Sequence, residues 1–240
     1  MSQRALDVHT HASIREIDEA TWDGLLAPCF APHMRWAFLD ALERTGCVQP
    51  EVGWQPAHIS LRHAGKVIGV APAYLKGNSE GEFVFDHSWA RFAHESLRLP
   101  YFPKLVVAVP FTPATGPRLL IAPGEDAAQL NRAFSVGLRR IVEDSELSGA
   151  HVLFPDPDSA DRLAETGLLR RHGVQYHWRN DGYKSFDDFL ARFSAKRRHQ
   201  IRRERRELRE HGIEISAVFG ADMDSALVDH VSEFYTSTVD

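Results

Sequence analysis

The chain has 240 residues, of which 43% are hydrophobic, 10% aromatic and 25% charged, and its formal net charge at pH 7 is −5. These values are typical of a globular protein and exclude a disordered chain. The negative net charge argues against a dedicated nucleic-acid-binding protein, because such proteins are usually strongly basic. The length allows one hydrophobic core and part of a second domain.

Cysteine usage and hydropathy predict the compartment. Neither Cys29 nor Cys47 belongs to a C-x-x-C pair, so the sequence predicts idle or buried thiols of a reducing compartment rather than a zinc site. The first residues lack the apolar segment of a signal peptide, and no run approaches 18 apolar residues. We therefore predict a soluble cytoplasmic protein without a membrane span.

Apolar periodicity and turn residues divide the sequence into strands and helices. The predicted elements are, in chain order, a short strand at 13–17, helices at 18–30 and 31–48, a strand hairpin at 57–63 and 66–76, a central strand at 104–111 with 118–122 as its continuation, a long helix at 125–145, a strand at 150–154, a short helix at 157–167 and a final strand or hairpin at 168–178.

The pattern then restarts with a long helix at 185–211, a strand at 212–220 and a helix at 222–238. A lone strand and helix cannot bury their apolar faces by themselves. This second part therefore docks on the first, pairs with a second copy as a homodimer, or belongs to a longer protein.

Two histidine patterns have spacings that could serve metal binding. His9 and His11 in DVHTH have the spacing of a metal-ligand pair, and His87 and His94 share one helix face. No further ligands follow at suitable positions, and short motifs match by chance. A polar N-terminal tail and a polar helix face are the simpler interpretations, so we predict no metal.

The segment 104–122 and the helix after it could form an anion cradle. A strand, a loop containing Gly116 and a helix N-terminus together direct backbone amides at a phosphate. The alternative is an ordinary crossover connection. The residues predicted to bind the donor or cofactor are Lys104, Val109, Thr112, Thr115, Gly116 and Arg118.

The order of the elements resembles the GNAT acyltransferase topology. The strings FLDALERTGCVQPEVGWQPAHI, YFPKLVVAVPFTPATGPRLL and GVQYHWRNDGYKSFDDFLARFSAKRRHQIRRERRELREHGIEI resemble more specifically the bacterial FemAB-like family of peptidoglycan biosynthesis or recognition proteins. The resemblance implies a mixed α/β (α+β) fold with a mainly antiparallel sheet flanked by helices. It also implies two GNAT-like domains in tandem, here 1–180 and the beginning of a second at 181–240.

The resemblance implies that the strands at 104–111 and 150–154 diverge, and that pantetheine or an aminoacyl end enters between them. The loop TPATGPR departs from the glycine-rich loop of acetyl-CoA-binding relatives. Pro110, Pro113 and Pro117 have no N–H to donate. Acyl-CoA and aminoacyl-tRNA therefore both remain candidate donors.

Acyl transfer to an amine needs a base and hydrogen-bond donors for the oxyanion. The candidate catalytic residues are Asp86, His87, Tyr176 and His177, with Glu82 as a further base. Lys104 could bind a phosphate or the oxyanion. The structural alternatives are Asp86 as a helix N-cap, Lys104 as a solvated side chain, and Tyr176 as a core or interface aromatic residue.

The segment from Ser194 to Glu210 is strongly basic, with eight Lys or Arg and three Glu. Lys196, Arg197, Arg198 and Arg202 have no obvious acidic partner on the helix, so they could bind a substrate diphosphate or a tRNA acceptor stem. The alternative is a solvated helix that links two domains. A DNA-binding arm is not favoured, because an apolar stripe anchors the helix.

The sequence thus predicts an acyl- or aminoacyl-transferase that acts on an amine of a cell-wall precursor, such as a muropeptide. Two alternatives stay open. One is a non-catalytic module that recognises such precursors, and the other is an RNA-binding accessory protein.

Overall fold

The structure is a computed structural model that describes residues 6–26 and 31–239. The chain divides into two compact units, Met1–Val174 and Gln175–Asp240, here called the first and second units. The boundary predicted from sequence lies a few residues later, at 180. Cys29 lies outside the described residues, and Cys47 is an exposed free thiol.

The first unit is a mixed α+β structure, as predicted. Its described strands are β1 (Asp7–His11), β2 (Trp54–Pro56), β3 (His58–His63), β4 (Lys66–Ala71), β5 (Ala73–Lys76), β6 (Lys104–Val107), β7 (Leu120–Ile121) and β8 (Ala150–Val152). Its described α-helices are α1 (Glu19–Leu26), α2 (Trp36–Arg44), α3 (His87–Phe92), α4 (Ala127–Asp144) and α5 (Pro157–Glu165). A π-helix at Ala93–Leu97 continues α3.

The strands form two four-stranded sheets, in the orders β1-β3-β4-β7 and β2-β5-β6-β8. All neighbours are antiparallel except β6 and β8. The predicted hairpin is confirmed as β3 and β4. Its turn residues Ala64 and Gly65 both have positive φ, 50° and 79°, as a two-residue type I′ turn requires.

The two sheets are joined through this hairpin, because β2–β3 and β4–β5 are each one strand interrupted at a single residue. Ala57 N–H still donates to Ala73 O at 2.8 Å across the interruption. Pro72, the residue that separates β4 from β5, has no N–H for a ladder. Its carbonyl accepts from Ala108 N–H at 3.2 Å, so the break in the ladder lies beside the end of β6.

The main core lies between α4 and the sheets. Leu130, Phe134 and Leu138 follow each other at intervals of four residues and are buried against strand residues that include Ile59 and Leu105. Full burial of such a side chain contributes about 1.5–3 kcal/mol. Asp126 caps α4 by accepting the N–H groups of residues 128 and 129. The predicted long helix is therefore confirmed, with the apolar face that the periodicity indicated.

The N-terminal prediction was wrong in two respects. The first strand is DVHTH, which pairs with β3 from Asp7 to His11, so this motif is no polar tail. The segment predicted as a strand instead contains a 3₁₀ turn, Ile14–Glu16. Glu43 holds that turn, because its carboxylate accepts from the Ile14 N–H and the Ser13 hydroxyl.

The prediction that 118–122 continues the central strand was also wrong. The central strand ends at Val107, and β7 pairs with β4 in the other sheet, with Val70 opposite Leu120. The loop between β6 and β7 therefore crosses from one sheet to the other.

The described second unit contains α6 (Phe186–Ala191), α7 (Ala195–Glu210), a 3₁₀ turn at Gly220–Asp222 and α8 (Ser225–Val239). The helix predicted at 185–211 is interrupted because Ser194 caps a new helix, its hydroxyl accepting the Arg197 N–H.

The strands predicted at 168–178 and 212–220 do not form, and the latter was the predicted opening strand of a second domain. Neither segment pairs with a strand among the described residues, and an extended segment without a partner forms no ladder. Apolar side chains there stay in solvent, and Phe219 is 73% exposed. In residues 6–26 and 31–239, no helix has both the length and the apolar character of a membrane span.

Candidate functional site

Strands β6 and β8 run parallel and then part. They pair from Leu105 opposite Ala150 to Val107 opposite Val152, and Leu153 N–H donates to Val107 O at 3.0 Å. Beyond this bond, Phe154 O accepts from Gly116 N–H rather than from β6. The ladder between β6 and β8 therefore ends at Val107 and Leu153, the position at which the resemblance implies that the strands diverge.

The chain itself fills the space between the parted strands. Gly116 N–H donates to Phe154 O at 3.1 Å, and Gly116 O accepts from Asp156 N–H at 3.1 Å. These bonds form a parallel bridge with Pro155. They occupy the backbone groups that an extended ligand would use if it added to the β8 edge. The slot predicted for pantetheine or an aminoacyl end therefore holds the chain's own loop.

Arg118 fixes this loop from inside. Its side chain is buried, and Nε donates to Leu153 O at 2.6 Å, Nη1 to Pro117 O at 3.2 Å and Nη2 to Ala114 O at 2.5 Å. Burial lowers the pKa of Arg118 to about 10, although Asp156 opposes the shift, so the guanidinium stays charged at neutral pH. A planar fork of donors suits several carbonyls at once, and here it ties both sides of the filled gap together.

The other predicted donor-binding residues are spread around this loop. Val109 is buried in the core beside Leu120, and the Thr112 hydroxyl donates to Pro110 O at 3.0 Å. Thr115 is exposed. Lys104 is at the opposite end of β6, about 13 Å from Ala108 if the strand is fully extended. The six residues therefore do not form one pocket.

His33 also lies at the filled gap, and no sequence pattern indicated this position. A Cβ on Gly116 would lie 3.6 Å from its Nε2. Nε2 is buried and has no hydrogen-bond partner among the described residues. Burial, followed by the charge of Arg118, lowers the pKa of His33, so the ring is neutral at pH 7.

At the amino end of β6 lies a buried ionic cluster, formed by Lys104, Glu82, Asp86 and Tyr101. Lys104 Nζ donates to Glu82 Oε2 at 2.9 Å and to Asp86 Oδ2 at 2.6 Å. Tyr101 also donates to Asp86 Oδ2, at 2.7 Å. The lysine and both carboxylates are buried. The cluster thus connects three parts of the chain. Ion pairs link β6 to the 82–86 turn, and the Tyr101 hydrogen bond adds the segment before β6.

The pKa values follow from burial and partners. Burial alone would raise the pKa of Asp86, but the hydrogen bonds from Lys104 and Tyr101 and the charge of Lys104 outweigh it and hold this pKa below its ordinary value. For Glu82, burial exceeds the effect of Lys104, and its pKa is raised. Burial lowers the pKa of Lys76, which donates to Glu80 O, to about 8.

This geometry gives each candidate catalytic residue a definite environment. Asp86 occupies the N-cap position of α3, but its side chain does not cap the helix. Asp86 is buried, and its Oδ2 accepts hydrogen bonds from both Lys104 and Tyr101. A general base must instead be able to reach its substrate. His87, the next residue, is exposed. Tyr176 is 98% exposed and His177 is exposed, both in the second unit outside any helix or strand.

Sequence reasoning missed Tyr101 and His151, which complete the ionic cluster. Their rings meet edge to face with centroids 6.1 Å apart. Burial, and then the charge of Lys104, lowers the pKa of His151 to about 4. The period-two position of His151 beside the buried Val106 was the signal that could have indicated it.

The basic helix α7 distributes its charges unevenly. Of the four predicted anion-binding residues, Arg198 donates to Phe193 O and Arg197 to Gln200, while Lys196 is exposed. Arg202 pairs with Asp187 at 2.7 Å. Arg202 therefore turns toward α6, whereas Arg198 holds the start of α7.

Two cavities adjoin at α6. The arginine groove, about 710 Å³, is lined by Phe186, Asp187, Leu190, Arg202, Arg205, Arg206, Arg209 and Glu210. The aromatic cleft, about 560 Å³, is lined by Trp178, Asn180, Tyr183, Lys184, Ser185, Phe186 and Phe189. Within the described part of the chain, no group of three or more His, Cys, Asp or Glu side chains could hold a metal ion.

Comparison with known proteins gives the family. A family model described as FemAB-like, peptidoglycan biosynthesis/recognition, matches residues 13–240. The chain belongs to the FemAB-like family. The resemblance seen in the sequence is therefore confirmed. No curated protein matches the sequence.

Among solved structures, a ribosomal-protein-alanine N-acetyltransferase from Brucella melitensis biovar Abortus 2308 is similar to this FemAB-like chain, with 12% sequence identity and a TM-score of 0.45. The match covers 73% of this chain and 99% of that one. The family match includes the parted strands, the ionic cluster and α7, so all three belong to the FemAB-like part of the sequence.

Proposed function

We propose that this FemAB-like protein is an acyl- or aminoacyl-transferase that acts on an amine of a peptidoglycan precursor in the bacterial cytoplasm. The observation that carries the proposal is the family match over residues 13–240, whose description is peptidoglycan biosynthesis/recognition.

The filled gap limits how the donor binds. Gly116 and Arg118 use the backbone groups of 153–156, so a pantetheine arm has no free strand edge there. The proposal therefore places neither an acyl-CoA nor an aminoacyl-tRNA donor in the gap, and both remain candidate donors. Of the candidate bases, His87 is the one in the first unit that is exposed to an acceptor amine.

A second candidate function is a non-catalytic module that recognises peptidoglycan precursors. The specific observation that favours it is the same filled gap, because an arginine with three carbonyl partners holds the loop closed. In this case the protein binds the precursor and transfers nothing.

Turnover with labelled donors tests the proposal. The full chain is incubated with a UDP-linked muropeptide and either labelled acetyl-CoA or labelled aminoacyl-tRNA, and the label on the acceptor is counted. Label transfer supports a transferase, and loss of transfer in His87→Ala with unchanged folding supports its role as base. Binding of the muropeptide without transfer from either donor overturns the transferase and supports the recognition module.

A further inference from the structure

The arginine groove and the aromatic cleft are neighbours in the second unit, since Phe186 lines both. Each has a volume in the range of small-molecule sites, about 300–1,000 Å³. One is lined by four arginines of α7 and the other by aromatic rings, and both cavities border α6.

The aromatic cleft offers a surface for a flat ring. Trp178 and Tyr183 stack with centroids 6.5 Å apart and an angle of 22° between their planes. This centroid separation is that of an offset-stacked aromatic pair, so the two rings together present one aromatic surface on which a planar ring can stack. Phe189 closes the cleft, because its ring stands perpendicular to both, at 6.0 and 5.5 Å. Asn180 and Ser185 add polar groups to its lining.

The arginine groove offers two uncompensated positive charges. Arg202, Arg205, Arg206 and Arg209 are spaced i, i+3, i+4 and i+7, so they share one helix face. Asp187 pairs with Arg202 at 2.7 Å and Glu210 with Arg206 at 3.5 Å. Among the described residues, Arg205 and Arg209 have no carboxylate partner.

Phe186 joins the two cavities through Arg205. The guanidinium carbon of Arg205 lies 4.2 Å from the centroid of the Phe186 ring, which orders the side chain at the boundary by a cation–π contact. An anionic group bound by Arg205 and Arg209 would therefore be held next to the aromatic cleft.

We propose that these two cavities form one binding site for a nucleoside diphosphate group, with the base in the aromatic cleft and the diphosphate on Arg205 and Arg209. Arginine binds phosphate oxygens through two parallel hydrogen bonds, and bases stack on aromatic side chains. The site deepens the proposed function, because it names the nucleotide-linked class to which a substrate of that transfer would belong.

An RNA arm on α7 is the competing interpretation, and the groove argues against it. Two of its four arginines are already paired with carboxylates that line the same groove. Such carboxylates would repel a continuous phosphate backbone, whereas they leave room for two phosphates at the remaining arginines.

Calorimetric titration of the full chain tests the site with five probes: UDP, ADP, CoA, uridine and pyrophosphate. We expect UDP or ADP to bind at least about tenfold more tightly than uridine or pyrophosphate, because only the nucleotides use both cavities. Preference for UDP assigns the site to a sugar nucleotide, and preference for ADP, with equal binding of CoA, assigns it to CoA. Equal affinities for pyrophosphate and the nucleotides would overturn the proposal.

Two variants and two matched controls assign the binding to these residues. Arg209→Ala and Trp178→Ala are each expected to weaken UDP or ADP about tenfold. Arg203→Ala lies on α7 outside the groove and pairs with Glu207, and Trp89→Ala removes an exposed tryptophan of the first unit; both should keep the wild-type affinity. Circular dichroism checks that each variant folds. Equal effects of Arg203→Ala and Arg209→Ala would refute the site.

The titration is independent of turnover, so its outcome separates the two proposals. A chain that binds UDP but transfers nothing refutes the transferase and leaves the nucleotide site standing. Binding of tRNA with a steep salt dependence, without binding of UDP or ADP, overturns the nucleotide site in favour of an RNA arm.

Discussion

The two ends of β6 each bury a cation, but they compensate its charge differently. Lys104 at the amino end contacts two carboxylates, Glu82 and Asp86. Arg118, which lies beyond the carboxyl end, donates only to backbone carbonyls. The positive charge of Lys104 is thus balanced by carboxylates. The N–H groups of Arg118 are hydrogen-bonded to carbonyls, which do not balance its charge.

This difference shows what each cation does for the fold. The partners of Lys104 are side chains, so this cation links β6 to the 82–86 turn through Glu82 and Asp86 and uses no backbone carbonyl of that turn. Carbonyl partners belong to the backbone itself, so Arg118 determines the path of the loop at 114–118 and of the strand end at Leu153. The predicted donor slot is filled at the end where Arg118 binds the carbonyls of Leu153 and Ala114.

Removal of Lys104 should have the largest effect on stability. Lys104→Met leaves two buried carboxylates without a cation, and breaking a buried ion pair on one side costs about 3–5 kcal/mol. Urea denaturation measures the loss. Lys66→Met, at an exposed lysine that begins β4, is the matched control and should change the free energy of unfolding by less than about 0.5 kcal/mol.

Neutralising the partners tests whether charge is the cause. The triple variant Lys104→Met, Glu82→Gln, Asp86→Asn removes the unpaired charges, so it should recover part of the lost stability. If the triple variant is less stable than Lys104→Met alone, the cluster is held by hydrogen-bond geometry, and the contrast with Arg118 disappears.

Removal of Arg118 should have a smaller effect. Arg118→Met leaves the carbonyls of Leu153 and Ala114 without their donors, at about 1–3 kcal/mol for an unsatisfied buried group, but it leaves no orphaned charge. We expect a loss of about 2–4 kcal/mol in the same denaturation experiment. Arg118→Lys keeps the charge without the fork, so it should be nearly as destabilised; full stability in this variant would show that charge matters more than the carbonyl contacts.

The sequence predicted the elements that have strong local signals. The hairpin β3–β4 has an alternating first strand and a two-residue turn, and α4 has four apolar residues at helical spacing. The family resemblance was also readable, since long strings carry it. The segments 13–17 and 118–122 were predicted wrongly, because each has apolar residues suitable for a strand but pairs according to contacts distant in sequence, with Glu43 and with β4.

The site was less predictable than the fold. Lys104 and Asp86 could be named as chemically interesting, but their mutual contact depends on how the 82–86 turn folds back on β6. Arg118 was predicted to face a ligand diphosphate, and it faces its own backbone instead. Residue type reveals what a side chain can bind, whereas only the chain path decides whether a ligand or a carbonyl is next to it.

The pH dependence sharpens the contrast further, because His151 reports on the Lys104 end. Its pKa is lowered from 6.5 to about 4, so the folded state binds fewer protons than the unfolded state between these values. Stability is therefore full above pH 6.5 and falls as the pH decreases toward 4, by about 1–3 kcal/mol. Urea denaturation at pH 7 and pH 4.5 measures the loss.

His151→Gln should show a smaller loss of stability between these two pH values than the wild type. His11 and His33 also have lowered pKa values, mainly through burial, but they contribute equally to both proteins and cancel in the difference. The raised pKa of Glu82 acts in the opposite direction, since that group favours folding as the pH falls. Identical pH profiles of wild type and variant would show that His151 is not buried next to Lys104.

The smallest effect is expected at Gly116, and it tests whether the filled gap needs glycine. The φ of Gly116 is not in the positive region, and an added Cβ would meet Arg118 Nη1 at 3.5 Å and His33 Nε2 at 3.6 Å. Both are ordinary contacts, so Gly116→Ala should fit, and the reduced freedom of the unfolded chain should stabilise it by up to about 1 kcal/mol. Gly81→Ala is the contrasting control, because φ is 75° there and the Cβ would come within 2.6 Å of Phe111. If Gly116→Ala destabilises the protein as much as Gly81→Ala does, the loop is packed more tightly against Arg118 than these contacts indicate, and a ligand would have still less chance of displacing it.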